Sequence, residues 1–271
     1  MHVRASVHQA LSRDRRPCRV SPIAPGEVDV WRVALDQPDE VVAAERGLLT
    51  QVELAHAERG IGVVYRRRTL SRAALRVVLS RYLDVSPNAV GFSYDGVGKP
   101  RVVAPRGDES LCFSLTHSGD CCLIAVATSD VGIDVEQIEA KPDLHALTER
   151  HFAAEEVAAI RGCGSAATRL FFCYWTSKEA LIKALGGGLA TMPLDGLVIR
   201  FNKNGPYVAA CRYADPRSLT LALLPMADPW CAAVAVHRHP SECTLPLSVR
   251  FAEHGFSGGC TSEELGSSSG L

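Results

Sequence analysis

Gly132-Ile133-Asp134-Val135-Glu136 and, further along, Trp175-Thr176-Ser177-Lys178-Glu179 with Lys183 one turn beyond decide the reading of this chain. The first stretch alternates, so it predicts a strand with Asp134 and Glu136 on one face and Ile133 and Val135 on the other. The second predicts a helix in which Glu179 and Lys183 share a face. Together they offer carboxylates for a hard metal ion and amines for phosphate oxygens, the set a magnesium-bound pyrophosphate needs.

Working outward, the Cys121–Ala127 and Trp230–Val236 runs are too short to span a bilayer and read as buried strands. They resemble each other, as the central strands of two related halves would. Strands are expected at 28–35, 110–116, 122–127 and 132–136, with Ser129-Asp130 as a hairpin turn into the last. Helices are expected at 48–58, 66–83, 153–160 and 168–185, the last ended by Gly186-Gly187-Gly188. From 197 to 236 strand-like runs alternate with turns. The fold class is therefore α+β with largely antiparallel sheets.

The 271 residues, 47% of them hydrophobic, suffice for one large domain or two small ones. A formal net charge of -1 gives no global field for nucleic acid or an anionic membrane. The ten cysteines form no C-x-x-C pair and no zinc-finger spacing. With no secretory signal, a reducing, cytoplasmic setting is expected. The arginine-rich N-terminus is compatible with an organellar transit segment; a disordered, solvated tail is the expectation.

Each candidate has a bland alternative. Asp134 and Glu136 alone could be a solvated strand edge, and Glu179 with Lys183 an exposed ion pair. In Phe113-Ser114-Leu115-Thr116-His117-Ser118-Gly119, His117 could bind phosphate, act as an acid or base, or be structural. Lys99, in Gly98-Lys99-Pro100, could be an ordinary turn lysine. Arg66-Arg67-Arg68-Thr69 opens a helix, where an anion is favoured, but it could also be a solvated basic patch. No aromatic series supports nucleic-acid binding.

Taken in order, these pieces resemble the 4′-phosphopantetheinyl transferase family in its larger, surfactin-synthetase-activating type. The matching elements are R-R-R-T at 66–69, G-K-P at 98–100, F-S-L-T-H-S-G at 113–119, G-I-D-V-E at 132–136 and W-T-S-K-E-A-L-I-K at 175–183. The resemblance implies two similar α/β halves related by a pseudo-two-fold, with the active site in the cleft between them. A first half at 26–128 would take the 3′-phosphate side of coenzyme A. A second at 129–240 would take magnesium and the catalytic groups, with disordered segments at 1–25 and 241–271.

The implied reaction moves phosphopantetheine from coenzyme A to a serine of an apo acyl or peptidyl carrier protein of fatty-acid, polyketide or nonribosomal-peptide synthesis. Adenosine 3′,5′-bisphosphate would leave. Asp134, Glu136 and Glu179 would hold Mg2+. Glu179, directly or through water, would be the base, with Lys183 and His117 on the pyrophosphate. Lys178, Lys99 and Thr116 would assist in the same pocket, and Arg68, with Arg59 and Thr69, would grip the 3′-phosphate. His56 and Gly187 stand where relatives often carry basic residues. A monomer acting without nucleic acid or membrane is implied.

Overall fold

The computed structural model describes residues 20–94, 99–103, 111–239 and 246–256. Gly98 and residues 1–19, 240–245 and 257–271 of the expected terminal segments lie outside them. The first half runs β1 (Glu27–Ala34), α1 (Asp39–Glu45), α2 (Gln51–Ala57), α3 (Val63–Leu83), β2 (Gly91–Tyr94), β3 (Pro100–Val103), β4 (Cys112–Ser118) and β5 (Cys121–Ala127). The second runs β6 (Asp130–Gln137), α4 (Leu144–His151), α5 (Ala154–Gly162), α6 (Ala167–Ala184), β7 (Leu197–Asn202), β8 (Gly205–Cys211), β9 (Leu219–Leu223) and β10 (Trp230–His237), followed by β11 (Ser248–His254).

The two halves repeat one plan. Each has a strand, a long helix, a small hairpin, and two further strands. In the first, β1 pairs with β5 and β5 with β4; in the second, β6 pairs with β10 and β10 with β9, all antiparallel. The two alanine-valine strands, β5 and β10, hold the same inner place in their sheets. Every residue of β5 is buried. This accounts for their unbroken apolar character, since an inner strand covered on both faces has no polar side to present.

Two expectations need correction. Ser129-Asp130 is not a hairpin turn, because β5 and β6 lie in different sheets and the chain crosses between them there. The C-terminal tail is not disordered throughout: β11 pairs in parallel with β1 from Glu27↔Ser248 to Val33↔His254. Arg250 fixes it, with Nε donating to Asp29 Oδ1 at 2.6 Å and Nη1 3.4 Å from Glu27. Tyr82 Oη donates to the other oxygen of Asp29 at 2.6 Å. Val249 and Phe251 also pack against the core, but the strand lies within a small, polar tail, and its charged anchorage to β1 depends on partners far away in sequence.

β4 and β6 join the sheets through side chains. Ser114, Thr116 and Ser118 recur at period two and face β6. Ser114 Oγ accepts from the Ile133 amide at 3.2 Å, Thr116 Oγ1 donates to Asp134 Oδ1 at 3.0 Å, and Ser118 Oγ donates to Glu136 Oε2 at 2.8 Å. Ile133 and Val135 turn the other way into the core.

α6 lies on β6 at Gly132. A Cβ there would overlap the Ala180 carbonyl oxygen and the Ala184 amide nitrogen, and would stand 2.8 Å from Lys183 Cβ. The glycine is what lets the helix approach the strand that carries the acids. Gly132→Ala is expected to cost about 3 kcal/mol in urea unfolding, because backbone atoms cannot yield as side chains do. An unchanged midpoint would contradict that close approach. Beyond Ala184 the helix closes with the Gly187 amide donating to Ile182 O at 3.0 Å and the Gly186 amide to Lys183 O at 3.2 Å. Gly186, at φ +78°, supplies the left-handed residue this cap requires. Among the described residues no helix is long and apolar enough to cross a membrane.

Candidate functional site

A cavity of about 900 Å³ opens between the halves, lined from the first half by α2, α3 and β4 and from the second by Lys183, Gly186 and Gly187. Its basic wall is one face of α3: Val64, Arg67, Arg68, Ser71, Arg72 and Leu75 all line it, at the i, i+3, i+4 spacing of a helix face. Of the arginine run, only Arg67 and Arg68 reach the cavity. Arg66 turns away to Asp39 and the Gln37 carbonyl. Arg67 is held by Asp120, with Nε 3.0 Å from Oδ1. Arg72, which the sequence reading passed over, lies over the Phe92 ring at 4.0 Å and donates to Glu53 at 2.5 Å. Burial opposes ionisation of Glu53, but bonds from Arg76, the Thr50 amide and Arg72 outweigh it and bring its pKa to about 2.

At the inner end, Lys183 links the cavity to the acids. Its ammonium lies 2.7 Å from Asp134 Oδ1 and 3.2 Å from the Ile133 carbonyl. Burial pushes the Asp134 carboxyl up, against the pull of Lys183 and Thr116. Burial likewise raises Glu136, where Ser118 opposes the shift and Asp134 adds to it. Glu179 is raised by burial first, with Asp134 and Glu136 adding to it and Lys183 opposing. The three carboxylates therefore feel one another across the β6–α6 seam. Asp134 Oδ2 is buried without a hydrogen-bond partner, an arrangement that disfavours the anion unless a cation meets it. Yet among the described residues no three acid, histidine or cysteine side chains draw together into a ready ligand set. The donor chemistry fits a hard cation, with Lys183 now holding one of the acid oxygens.

His117 opens onto the cavity beyond Leu115. Burial by the walls lowers its pKa, and Arg67, Lys183 and Arg68 lower it further, which favours the neutral imidazole. Lys99 also lines the cavity, with its ammonium 3.3 Å from the Ala184 carbonyl and 3.4 Å from Asp130. It thereby ties the first half to the end of α6. His56 and Gly187 are on the lining as well.

Asp134, Glu136 and Glu179 do not themselves line the cavity, and four further candidates are not brought to it. Lys178 is fully buried on the opposite side of α6, 2.5 Å from Glu156 Oε2, and donates to the carbonyls of Leu194 and Leu197 at 2.9 and 2.7 Å. One residue along a helix turns the side chain by about 100°, so Lys178 cannot share Glu179's direction. Thr69 is buried in the core side of α3, one step off the basic face. Arg59 is exposed and off the lining. Thr116 faces Asp134 rather than the cavity. The hydroxyls of Ser114 and Ser118 join the same seam, a role that their period-two spacing with Thr116 in F-S-L-T-H-S makes legible.

Residues 130–235 match the model of the 4′-phosphopantetheinyl transferase superfamily, ACPS. The 4′-phosphopantetheinyl transferase HetI of Nostoc sp. is 38% identical over 169 residues, covering 61% of this chain and 71% of that protein. A putative 4′-phosphopantetheinyl transferase of Synechocystis sp. is 35% identical over 164 residues, covering 59% and 65%. Among solved structures, the holo-[acyl-carrier-protein] synthase of Thermotoga maritima matches 41% of this chain and 63% of its own, at 22% identity and a TM-score of 0.34.

Proposed function

Since the chain belongs to the 4′-phosphopantetheinyl transferase superfamily, we propose that it transfers the phosphopantetheine of coenzyme A to a serine hydroxyl of an apo acyl or peptidyl carrier protein. Adenosine 3′,5′-bisphosphate is the other product. The observation that carries this to particular residues is Lys183, which lines a basic cavity on one side and meets Asp134 at 2.7 Å on the other. Such a lysine stands where a pyrophosphate would pass from its anchoring arginines to its reacting phosphorus.

Arg67, Arg68 and Arg72 bind the phosphates of coenzyme A, Arg68 taking the 3′-phosphate. A planar guanidinium suits this, since it can donate two parallel bonds to phosphate oxygens. Glu179, with its pKa raised, takes the serine proton directly or through water; positioned bases of this kind contribute about 10²–10⁴-fold. The serine oxygen bonds to the phosphorus bearing pantetheine, and the bond from that phosphorus to the bridging oxygen breaks. Lys183 and a neutral, N–H-donating His117 hold the charge that gathers on the departing phosphate. Asp134, Glu136 and Glu179 would hold magnesium, which supplies positive charge to the pyrophosphate oxygens when bound.

Chromatography of the nucleotide products tests the reaction. Coenzyme A, magnesium, this protein and an apo carrier should yield adenosine 3′,5′-bisphosphate in step with carrier consumed, whereas bisphosphate without carrier, or none with several carrier types, would refute transfer. The metal site makes a separate prediction. Magnesium at a hundredfold excess over its Kd should add about 2.7 kcal/mol, or roughly 5–10 °C in Tm. Asp134→Asn should lose that shift. An equal shift in both proteins would remove Asp134 from the site.

A further inference from the structure

Cys173 of α6 and Cys231 of β10 bring their sulfur atoms to 3.6 Å across 58 residues of sequence. Cys231 is 6% exposed and Cys173 partly open to solvent. Thr176 Oγ1 lies 3.7 Å from Cys231 Sγ. Among the described residues no third acid, histidine or cysteine completes a metal set with them. The two thiols thus face each other at a junction between the helix that carries Glu179 and Lys183 and the strand paired to β6, where Cys231 stands opposite Glu136.

We propose that Cys173 and Cys231 are an oxidisable dithiol, which a peroxide converts to a disulfide fastening α6 to β10. Oxidant reaches Cys173, the more open thiol. The thiolate of one cysteine of the pair attacks a peroxide oxygen, the O–O bond breaks, and a sulfenic acid and water form. The other sulfur then displaces the sulfenic hydroxyl, which leaves as a second water once protonated, and the S–S bond closes. Two thiols lose two electrons and two protons, and the peroxide is reduced to two waters.

A disulfide needs the sulfurs at about 2.05 Å. α6 cannot slide bodily closer to the sheet, because Ala180 and Ala184 already press on Gly132. Closure therefore comes from side-chain rotation and a slight tilt of the helix on the N-terminal side of that contact. Glu179 and Lys183 lie beside the pivot and keep their places. The expected effect is a lock that stabilises the second half, not a rearrangement of the acids.

The test is peptide mapping of the full chain treated with a small excess of hydrogen peroxide, then alkylated without reduction and digested with trypsin. Residues 170–178 should appear linked to 218–238, minus two hydrogens, and separate again after dithiothreitol. Cys173→Ser should abolish the link, and Cys163→Ser, at an exposed cysteine, should retain it. The oxidised protein should melt about 5 °C or more above the reduced one. Oxidation confined to other cysteines of the wild-type chain would overturn the proposal without reference to any variant. So would a linked protein that melts no higher than the reduced form.

Discussion

Lys178→Met is expected to lower stability by about 3–5 kcal/mol, the usual result of breaking a buried ion pair by removing one partner. Lys178 and Glu156 are both wholly buried, 2.5 Å apart. Glu156 also accepts from the amides of Ala153 and Ile199 at 2.9 Å each, so it cannot turn out to solvent when the lysine is lost. Methionine fills much of the space and leaves the carboxylate without its counter-charge. Burial already holds the lysine below its ordinary pKa, with Glu156 opposing. The double variant Lys178→Met, Glu156→Gln removes both charges and keeps one acceptor oxygen, enough for one of the two amides, so it should recover part of the loss. Urea unfolding of the single and double variants measures this. A single variant that unfolds like the parent but has lost coenzyme A affinity would put Lys178 back in the pocket.

Asp134→Asn is expected to act in the opposite manner, with little change in stability and turnover reduced by at least about 10²-fold, the scale of losing one aligned electrostatic group. Asparagine can still accept from Thr116 and Lys183, so the β4–β6–α6 junction persists. Burial raises the pKa of the native carboxyl. The folded state therefore gives up little when that charge is removed. The reaction gives up more, because the unpartnered Asp134 Oδ2 is the oxygen best placed to meet a cation. The pair of variants separates two adjoining features of one helix, an internal ion pair and a reactive seam. A full-rate Asp134→Asn protein would refute the role given to that carboxylate.

Much of this was legible in the sequence, for particular physical reasons. Alternation around Asp134 and helical spacing around Glu179 gave their elements and faces, because both periods are local properties of the chain. The likeness of the alanine-valine runs pointed to their matching places in two sheets. What the sequence concealed depends on which surface is covered. Lys178 reads like Lys183 until Glu156 is seen buried beside it. Arg66, Arg67 and Arg68 read as one patch until Asp39 and Asp120 draw two of them in different directions. Arg72 was legible by its spacing from Arg68, but needs Glu53 and Phe92 to give it a setting. The strand at 248–254 depends on partners more than two hundred positions away, which no local pattern reports.

The central claim is transfer itself, and the intact mass of a purified apo carrier protein reads it most directly. After incubation with this protein, coenzyme A and magnesium, the carrier should gain the mass of one phosphopantetheine, on serine. The gain should be absent with a chelator and slowed at least about 10²-fold with Asp134→Asn. No gain across acyl and peptidyl carriers, from a protein that still binds coenzyme A, would contradict the account and leave a coenzyme-binding module in its place.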